Sequence, residues 1–270
     1  QKSQPIVTRH ALRSQRARHK HRILLAEDNA VNQKVACRTL EKLGYRVDVA
    51  VDGEAAVKAW GTGRYDLILM DCQMPILDGY EATRRIRARE KDGTRIPIVA
   101  LTAHAMKGAD EQCTAAGMDD YLSKPIDRAA LERTLERWLN PNEDSAAPAP
   151  ATPIVQPSSD DPIDWQRLLT ATDHDDELAR ELAVLFIESG ASNMQDIVTA
   201  LQDRDYGKLG EKAHEIKGSS ANLQALAASA AAERLEFAAR NGDVDQVPEL
   251  THQLSSEVHR AIEFLNKRIA

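Results

Sequence analysis

Three acids stand where apolar runs stop. Leu67, Ile68, Leu69 and Met70 lead into Asp71 within LILMDCQMP, and RILLA, residues 22–26, leads into Glu27 and Asp28. Carboxylates gathered together repel one another unless a cation neutralises them, and hard oxygen ligands with room for water suit Mg²⁺. Asp71 is then the candidate nucleophile, because a carboxylate can attack a phosphoryl group and form an acyl phosphate while cations offset charge on the phosphoryl oxygens. Lys124 and Thr102, each following a further apolar run, offer an ammonium and a hydroxyl for that purpose. Gln73, two residues beyond Asp71, adds a backbone carbonyl facing the metal. A second constellation lies far along the chain in AHEIKGSSANL, where His214, Lys217 and Gly218 share one helical face. Imidazole accepts phosphoryl groups near neutral pH, Lys217 neutralises an incoming phosphate, and Gly218 removes a side chain that would obstruct a docking active site.

The elements that position the first group alternate. Strand patterns over 22–26, 46–50, 67–71 and 96–101, with a short one centred on Tyr121 and Leu122, are interleaved with helical patterns over 31–43, 53–60, 80–90, 107–116 and 127–139. The last helix is expected to carry acid in its first turn, as the helix dipole favours. Five strands and five helices in alternation predict a flavodoxin-like (βα)5 fold, a doubly wound parallel sheet. In that strand order the ends of strands one, three, four and five are neighbours at the carboxyl edge, where ligands gather. Glu27, Asp28, Asp71, Thr102 and Lys124 would therefore converge. Taken singly, each is an ordinary cap, turn or surface residue; only the joint placement carries the reading.

Residues 140–162 hold six of the chain's 11 prolines among Ala, Ser and acids, the composition of a flexible tether. From residue 163 onward no strand pattern appears. A lead helix over 165–169 is followed by apolar seams through Leu178, Leu182 and Leu185, then Met194, Ile197 and Leu201, with Gly190 expected to mark an irregularity between them. Further seams run through Leu209, Ala213, Ile216, Ser220 and Leu223, through Ala228, Ala231, Leu235 and Ala238, and through Leu250, Leu254, Ala261 and Leu265. Four main helices predict an antiparallel bundle. His214, one position past Ala213, is expected at the flank of the core.

Composition bounds these readings. The 270 residues suit one large domain or two ordinary ones, and 42% hydrophobic content with only 4% aromatic residues points to a helix-rich protein. No apolar run approaches the roughly 20 residues that span a bilayer and no secretory signal opens the chain, so a cytoplasmic location is expected. Cys37, Cys72 and Cys113 lack metal-ligand spacing and read as reduced thiols without chemistry. The net charge is -7, yet residues 1–22 carry seven basic side chains and no acid. That arm lacks interleaved aromatics and reads as a solvated interdomain linker over 1–21, not as a nucleic-acid or membrane contact. His104 reads as a loop residue.

On AEDN, MDCQMP, ALTA and YLSKP, in that order, residues 22–139 resemble a response-regulator receiver domain. The resemblance implies Mg²⁺-dependent phosphorylation of Asp71, metal binding by Glu27, Asp28, Asp71 and the Gln73 carbonyl, and a switch in which Thr102 moves toward the phosphate and Tyr121 rotates inward behind it. It also implies a cis Lys124–Pro125 bond. Residues 163–270 resemble a histidine phosphotransfer (HPt) domain, whose HxxKGS pattern is met by His214, Lys217, Gly218 and Ser219; a glycine frequent in that family is Gln224 here, which puts the local turn in question. The rival is the HExRTP helix of a histidine kinase, but Lys217, Gly218 and Ser219 stand in place of Arg, Thr and Pro, and no ATP-binding segment follows.

Together these features resemble the carboxy-terminal part of a tripartite bacterial hybrid sensor histidine kinase, and the start at Gln1 is what a fragment would give. The implied partners are an upstream kinase core of the same parent, itself anchored in the inner membrane or not, and a downstream response regulator, with neither nucleic acid nor membrane. The alternatives are a docking module regulated by phosphorylation and a phosphate sink run in reverse. A transcription factor is disfavoured, since no DNA-reading helix pair follows the receiver pattern.

Overall fold

The computed structural model describes residues 21–91, 93–102, 109–139 and 161–269. The basic arm to residue 20, His104 and tether residues 140–160 lie outside the described residues. The chain forms two compact units.

The first is an α/β unit. Its elements are β1 (Arg22–Ala26), α1 (Ala30–Lys42), β2 (Arg46–Ala50), α2 (Gly53–Trp60), β3 (Leu67–Asp71), α3 (Gly79–Arg87), β4 (Ile98–Thr102), α4 (Ala109–Ala116), β5 (Asp120–Ser123) and α5 (Arg128–Leu139). The five strands form one sheet in the order β2-β1-β3-β4-β5, every pair parallel. Every residue of β3 and β4 is buried, as befits central strands covered by helices on both faces. One face packs Leu24, Ile68, Met70, Ile98 and Ala100 against Ala56, Val57, Ala82 and Ile86. The other packs Ile23, Leu25, Leu67, Leu69, Val99 and Leu101 against Leu40, Leu131 and Leu135. Each such aliphatic side chain contributes about 1.5–3 kcal/mol relative to exposure.

Two expectations need correction here. The fourth strand begins at Ile98, not residue 96: Pro97 has no N–H to donate and offers the ladder only its carbonyl, which accepts from Ile68 N–H at 2.9 Å. The last helix carries no acid in its first turn; Asp127 is its cap, accepting from Ala130 N–H at 2.7 Å. Asn29, Asp52 and Asp78 cap α1, α2 and α3 in the same way.

The second unit is all-helical: α6 (Trp165–Ala171), α7 (Asp176–Asp203), α8 (Tyr206–Asn222), α9 (Leu226–Asn241) and α10 (Val247–Ile269). Asp164, Asp175 and Asp205 cap α6, α7 and α8 through backbone N–H groups three residues on. The four seams read from the sequence are the packed interior, with Leu182, Ile197, Leu209, Ile216, Leu235, Leu254 and Leu265 all buried. The irregularity expected at Gly190 is absent. Helix α7 runs unbroken through that buried residue, where a Cβ would meet Val258 at 3.6 Å and Phe186 at 3.8 Å, ordinary contact distances. Gly242 ends α9 in the left-handed conformation at φ 77°.

Candidate functional site

The strand ends converge as the topology requires. Because β1 and β3 are paired neighbours, Glu27, Asp28 and Asp71 emerge at one edge, and a carboxylate oxygen from each lies within 4.8 Å of the others. Glu27 and Asp71 are buried and Asp28 is partly exposed. Lys124, just past β5, places Nζ 2.5 Å from Asp71 Oδ2 and 2.6 Å from Glu27 Oε2, bridging the two buried acids. Its backbone N–H donates to the carbonyl of Thr102 at 2.8 Å, and the Lys124–Pro125 bond is cis. Thr102 is buried at the end of β4. Gln73 N–H donates to Asp71 Oδ1 at 3.1 Å, which fixes the carboxylate from the loop side. Tyr121 sits on the edge strand β5 with its ring exposed.

Burial pushes the Asp71 carboxyl up, to about 8, with the Lys124 ammonium opposing and the Glu27 charge adding to the rise. Burial alone would lower Lys124, but Asp71 and Glu27 outweigh it and hold the ammonium above its ordinary value. The edge is thus an electrostatically frustrated cluster of three acids and one lysine, with hard oxygen donors that a divalent cation fits. Cys72 is buried beside it. A hydrogen bond with Cys113, then burial, raise that thiol.

The loop after Asp71 is folded tightly against this edge. Gly79 N–H donates to Cys72 O at 3.2 Å, and a Cβ at Gly79 would collide with the carbonyl of Asp71, so only glycine lets α3 start there.

The helical unit builds its own centre across α8 and α9. His214 Nδ1 lies 2.9 Å from Glu236 Oε1, and Lys217 Nζ lies 3.0 Å from Glu236 Oε2. Arg240 shares Oε1 at 2.9 Å, and Glu233 Oε1 lies 3.6 Å from Lys217. Glu236 is 3% exposed and Lys217 is 7% exposed. Burial would raise Glu236, but the His214 hydrogen bond and charge, with Lys217 and Arg240, hold its carboxyl down at about 2. An ionised carboxylate only accepts, so Nδ1 carries the proton and the lone pair of the neutral imidazole is on Nε2. Lys217 was expected to face an incoming phosphate; it is buried and engaged by two acids.

Glu236 and Arg240 escaped the sequence reading. The available signal was the acid beside Leu235, one of two in AAAERLEFAA, one step off an apolar seam. Gly218 and Ser219 continue α8 past His214, and Ser219 bonds back to the carbonyls of Glu215 and Ile216. Gln224 has φ 59°, the left-handed conformation that glycine favours.

Residues 23–136 match the model of the response regulator receiver domain, and residues 181–264 match that of the Hpt domain. The chain belongs to the receiver and Hpt families of phosphorelay signal transduction. Virulence sensor protein BvgS of Bordetella bronchiseptica is 33% identical to it over 238 residues, which are 85% of this chain and 19% of that protein. Hybrid signal transduction protein dokA of Dictyostelium discoideum is 45% identical over 129 residues, 48% of this chain and 8% of dokA. The chain therefore spans only a small part of the length of these relatives. Among solved structures, the receiver domain of a Pseudomonas aeruginosa PAO1 sensor histidine kinase, with a magnesium ion coordinated in its active site cleft, is 55% identical and covers 44% of this chain and 97% of that one, with a TM-score of 0.41. Among the described residues no helix is long and apolar enough to cross a membrane.

Proposed function

We propose that the chain carries two successive stations of a phosphorelay: Asp71 takes a phosphoryl group from the histidine of an upstream kinase core, His214 takes it from Asp71, and a downstream receiver takes it from His214. The observation that carries this reading is the pairing on one chain of a three-carboxylate cluster bridged by Lys124 with an imidazole whose Nδ1 is held by an ionised carboxylate. We assign the receiver to 22–139 and the Hpt domain to 163–270.

Glu27, Asp28, Asp71 and the backbone carbonyl of Gln73 would hold the ion, for which hard oxygen donors at this spacing are suited. Bound there, Mg²⁺ supplies charge neutralisation for the phosphoryl oxygens and for the clustered carboxylates. An Asp71 carboxylate oxygen attacks phosphorus, the bond from phosphorus to the donor nitrogen breaks, and the donor imidazole leaves with that electron pair. Lys124 stays beside Asp71 and balances the transferred negative charge. Thr102, buried at the end of β4, and Tyr121, exposed on β5, are the pair that would respond to the new group.

In the second transfer the Nε2 lone pair of His214 attacks phosphorus and the Asp71 oxygen leaves as carboxylate. The proton stays on Nδ1 and is donated to Glu236 throughout, so the imidazole becomes charged against a fixed counter-ion.

The test is labelling with a small phosphodonor in the presence of Mg²⁺. Wild-type chain is expected to gain an alkali-labile acyl phosphate and then an alkali-stable phosphohistidine; D71N gains neither, and H214Q only the first. Aspartyl label persisting in D71N overturns the assignment.

A further inference from the structure

Ile76 is costly in two independent ways. It is β-branched yet holds φ 68°, the left-handed region that Ile enters rarely, and its side chain is 79% exposed, the most exposed large hydrophobic among the described residues. Leu77 N–H donates to Pro75 O at 2.7 Å, closing a three-residue turn with Ile76 at its tip. The turn is pinned on both sides. Gly53 N–H donates to Leu77 O at 3.1 Å, Gly79 N–H donates to Cys72 O at 3.2 Å, and neither Gly53 nor Gly79 has room for a Cβ. A strained conformation that its surroundings enforce, presenting an apolar side chain to solvent, calls for a functional reason.

Its position supplies one. Ile76 lies five residues past Asp71, on the loop that folds back over the carboxyl edge. Asp71 is only 2% exposed, so a partner imidazole reaches it by bringing its own surface against the loops of that edge, this one among them. The His214 centre is also partly buried and sits in a face of two packed helices. On α9, one residue past the Glu236 that holds His214, Phe237 is an apolar side chain left 66% exposed.

We propose that Ile76 is a preformed apolar anchor on which the receiver seats the His214-bearing helix pair of an Hpt domain during phosphoryl transfer. This rests on the relay reading and deepens it by naming the docking surface. A rigid tip loses little conformational entropy on binding, which is what the pinned turn provides.

The experiment uses the full chain with a small phosphodonor and Mg²⁺, comparing wild type with I76G, I76N and I76M. Glycine and asparagine tolerate φ above zero and remove the apolar group; methionine keeps an apolar group. The expected result for I76G and I76N is a thermal midpoint equal to or above wild type, unchanged acyl-phosphate labelling of Asp71, and appearance of alkali-stable label on His214 slowed by about tenfold or more, the scale of an interface hot spot. I76M is expected to keep the wild-type rate. Transfer in I76G within twofold of wild type, loss of Asp71 labelling in equal proportion, or an I76M rate as low as that of I76G each overturns the anchor. If wild type itself forms no alkali-stable label, the relay reading falls first and the anchor with it.

Discussion

Nδ1 of His214 lies 2.9 Å from Oε1 of Glu236, so the ring is held through that nitrogen by a carboxylate rooted in the neighbouring helix. Lys217 and Arg240 bind the same carboxylate, which keeps it ionised and fixed in direction. The orientation of the imidazole is therefore a property of α8 packing on α9, not of α8 alone.

E236Q should expose that dependence. Glutamine keeps an acceptor but loses the charge that Nδ1–H and Lys217 both use. A hydrogen bond to a charged group is worth about 1.5–3 kcal/mol, so transfer from Asp71 to His214 should slow roughly tenfold to a hundredfold, with acyl-phosphate labelling of Asp71 unaffected. Phosphohistidine forming at the wild-type rate would mean that Glu236 is only structural. E236A goes further and leaves the buried Lys217 with only the exposed Glu233 at 3.6 Å, a loss of up to about 3–5 kcal/mol, readable as a fall in the thermal midpoint.

The same carboxylate sets an acid limit. Its folded value near 2 lies below the ordinary 4.5, so its stabilisation is complete above 4.5 and is lost as pH falls from there through 2. The loss is on the order of 3 kcal/mol. Thermal midpoints measured from pH 5 down to pH 2 should fall more steeply for wild type than for E236Q. Parallel curves would show that the ion-pair cluster does not form in solution.

Asp71 has the opposite sign. Its carboxyl is raised from 3.8 to about 8 when folded, so without metal the unfolded chain ionises first and stability declines as pH rises from about 4 to 8. D71N should remove that decline and give a receiver more stable than wild type in metal-free buffer at pH 8, by a midpoint shift of roughly 5 °C or more. Mg²⁺ should stabilise wild type more at pH 8 than at pH 6 and D71N little at either. Equal metal stabilisation of both proteins would place the ion elsewhere.

What the sequence made legible follows from geometry. Glu27, Asp71, Thr102 and Lys124 could be read because in a parallel sheet the stop of an apolar run is itself a spatial coordinate: each marks the same edge. His214 and Lys217 could be read because three residues along a helix fix a shared face. Glu236 could not, since its contact spans 22 positions and depends on how two helices rotate against each other. Ile76 could not either, as its backbone angle is imposed by Gly53 and Gly79 from outside the turn. The continuity of α7 at Gly190 was not legible because a single glycine is tolerated inside a helix that packing on its neighbours holds together.

Gln224 offers the last test, because there the sequence raised a question that the backbone answers. The left-handed conformation at φ 59° is retained without glycine, and the Gln224 carbonyl is used by Asp164 N–H at 3.3 Å, tying the start of α6 to the turn between α8 and α9. Holding a side chain in that region costs about 1–2 kcal/mol, while glycine restores some unfolded-state entropy. Q224G should therefore stabilise the Hpt domain by about 0.5–1 kcal/mol, seen as a higher urea midpoint with an unchanged denaturant slope. Transfer to His214 should keep its rate, since the turn touches neither Glu236 nor Lys217. A lower midpoint would show that the Gln224 side chain, whose amide reaches Ala221 O at 3.3 Å, contributes more than its backbone costs.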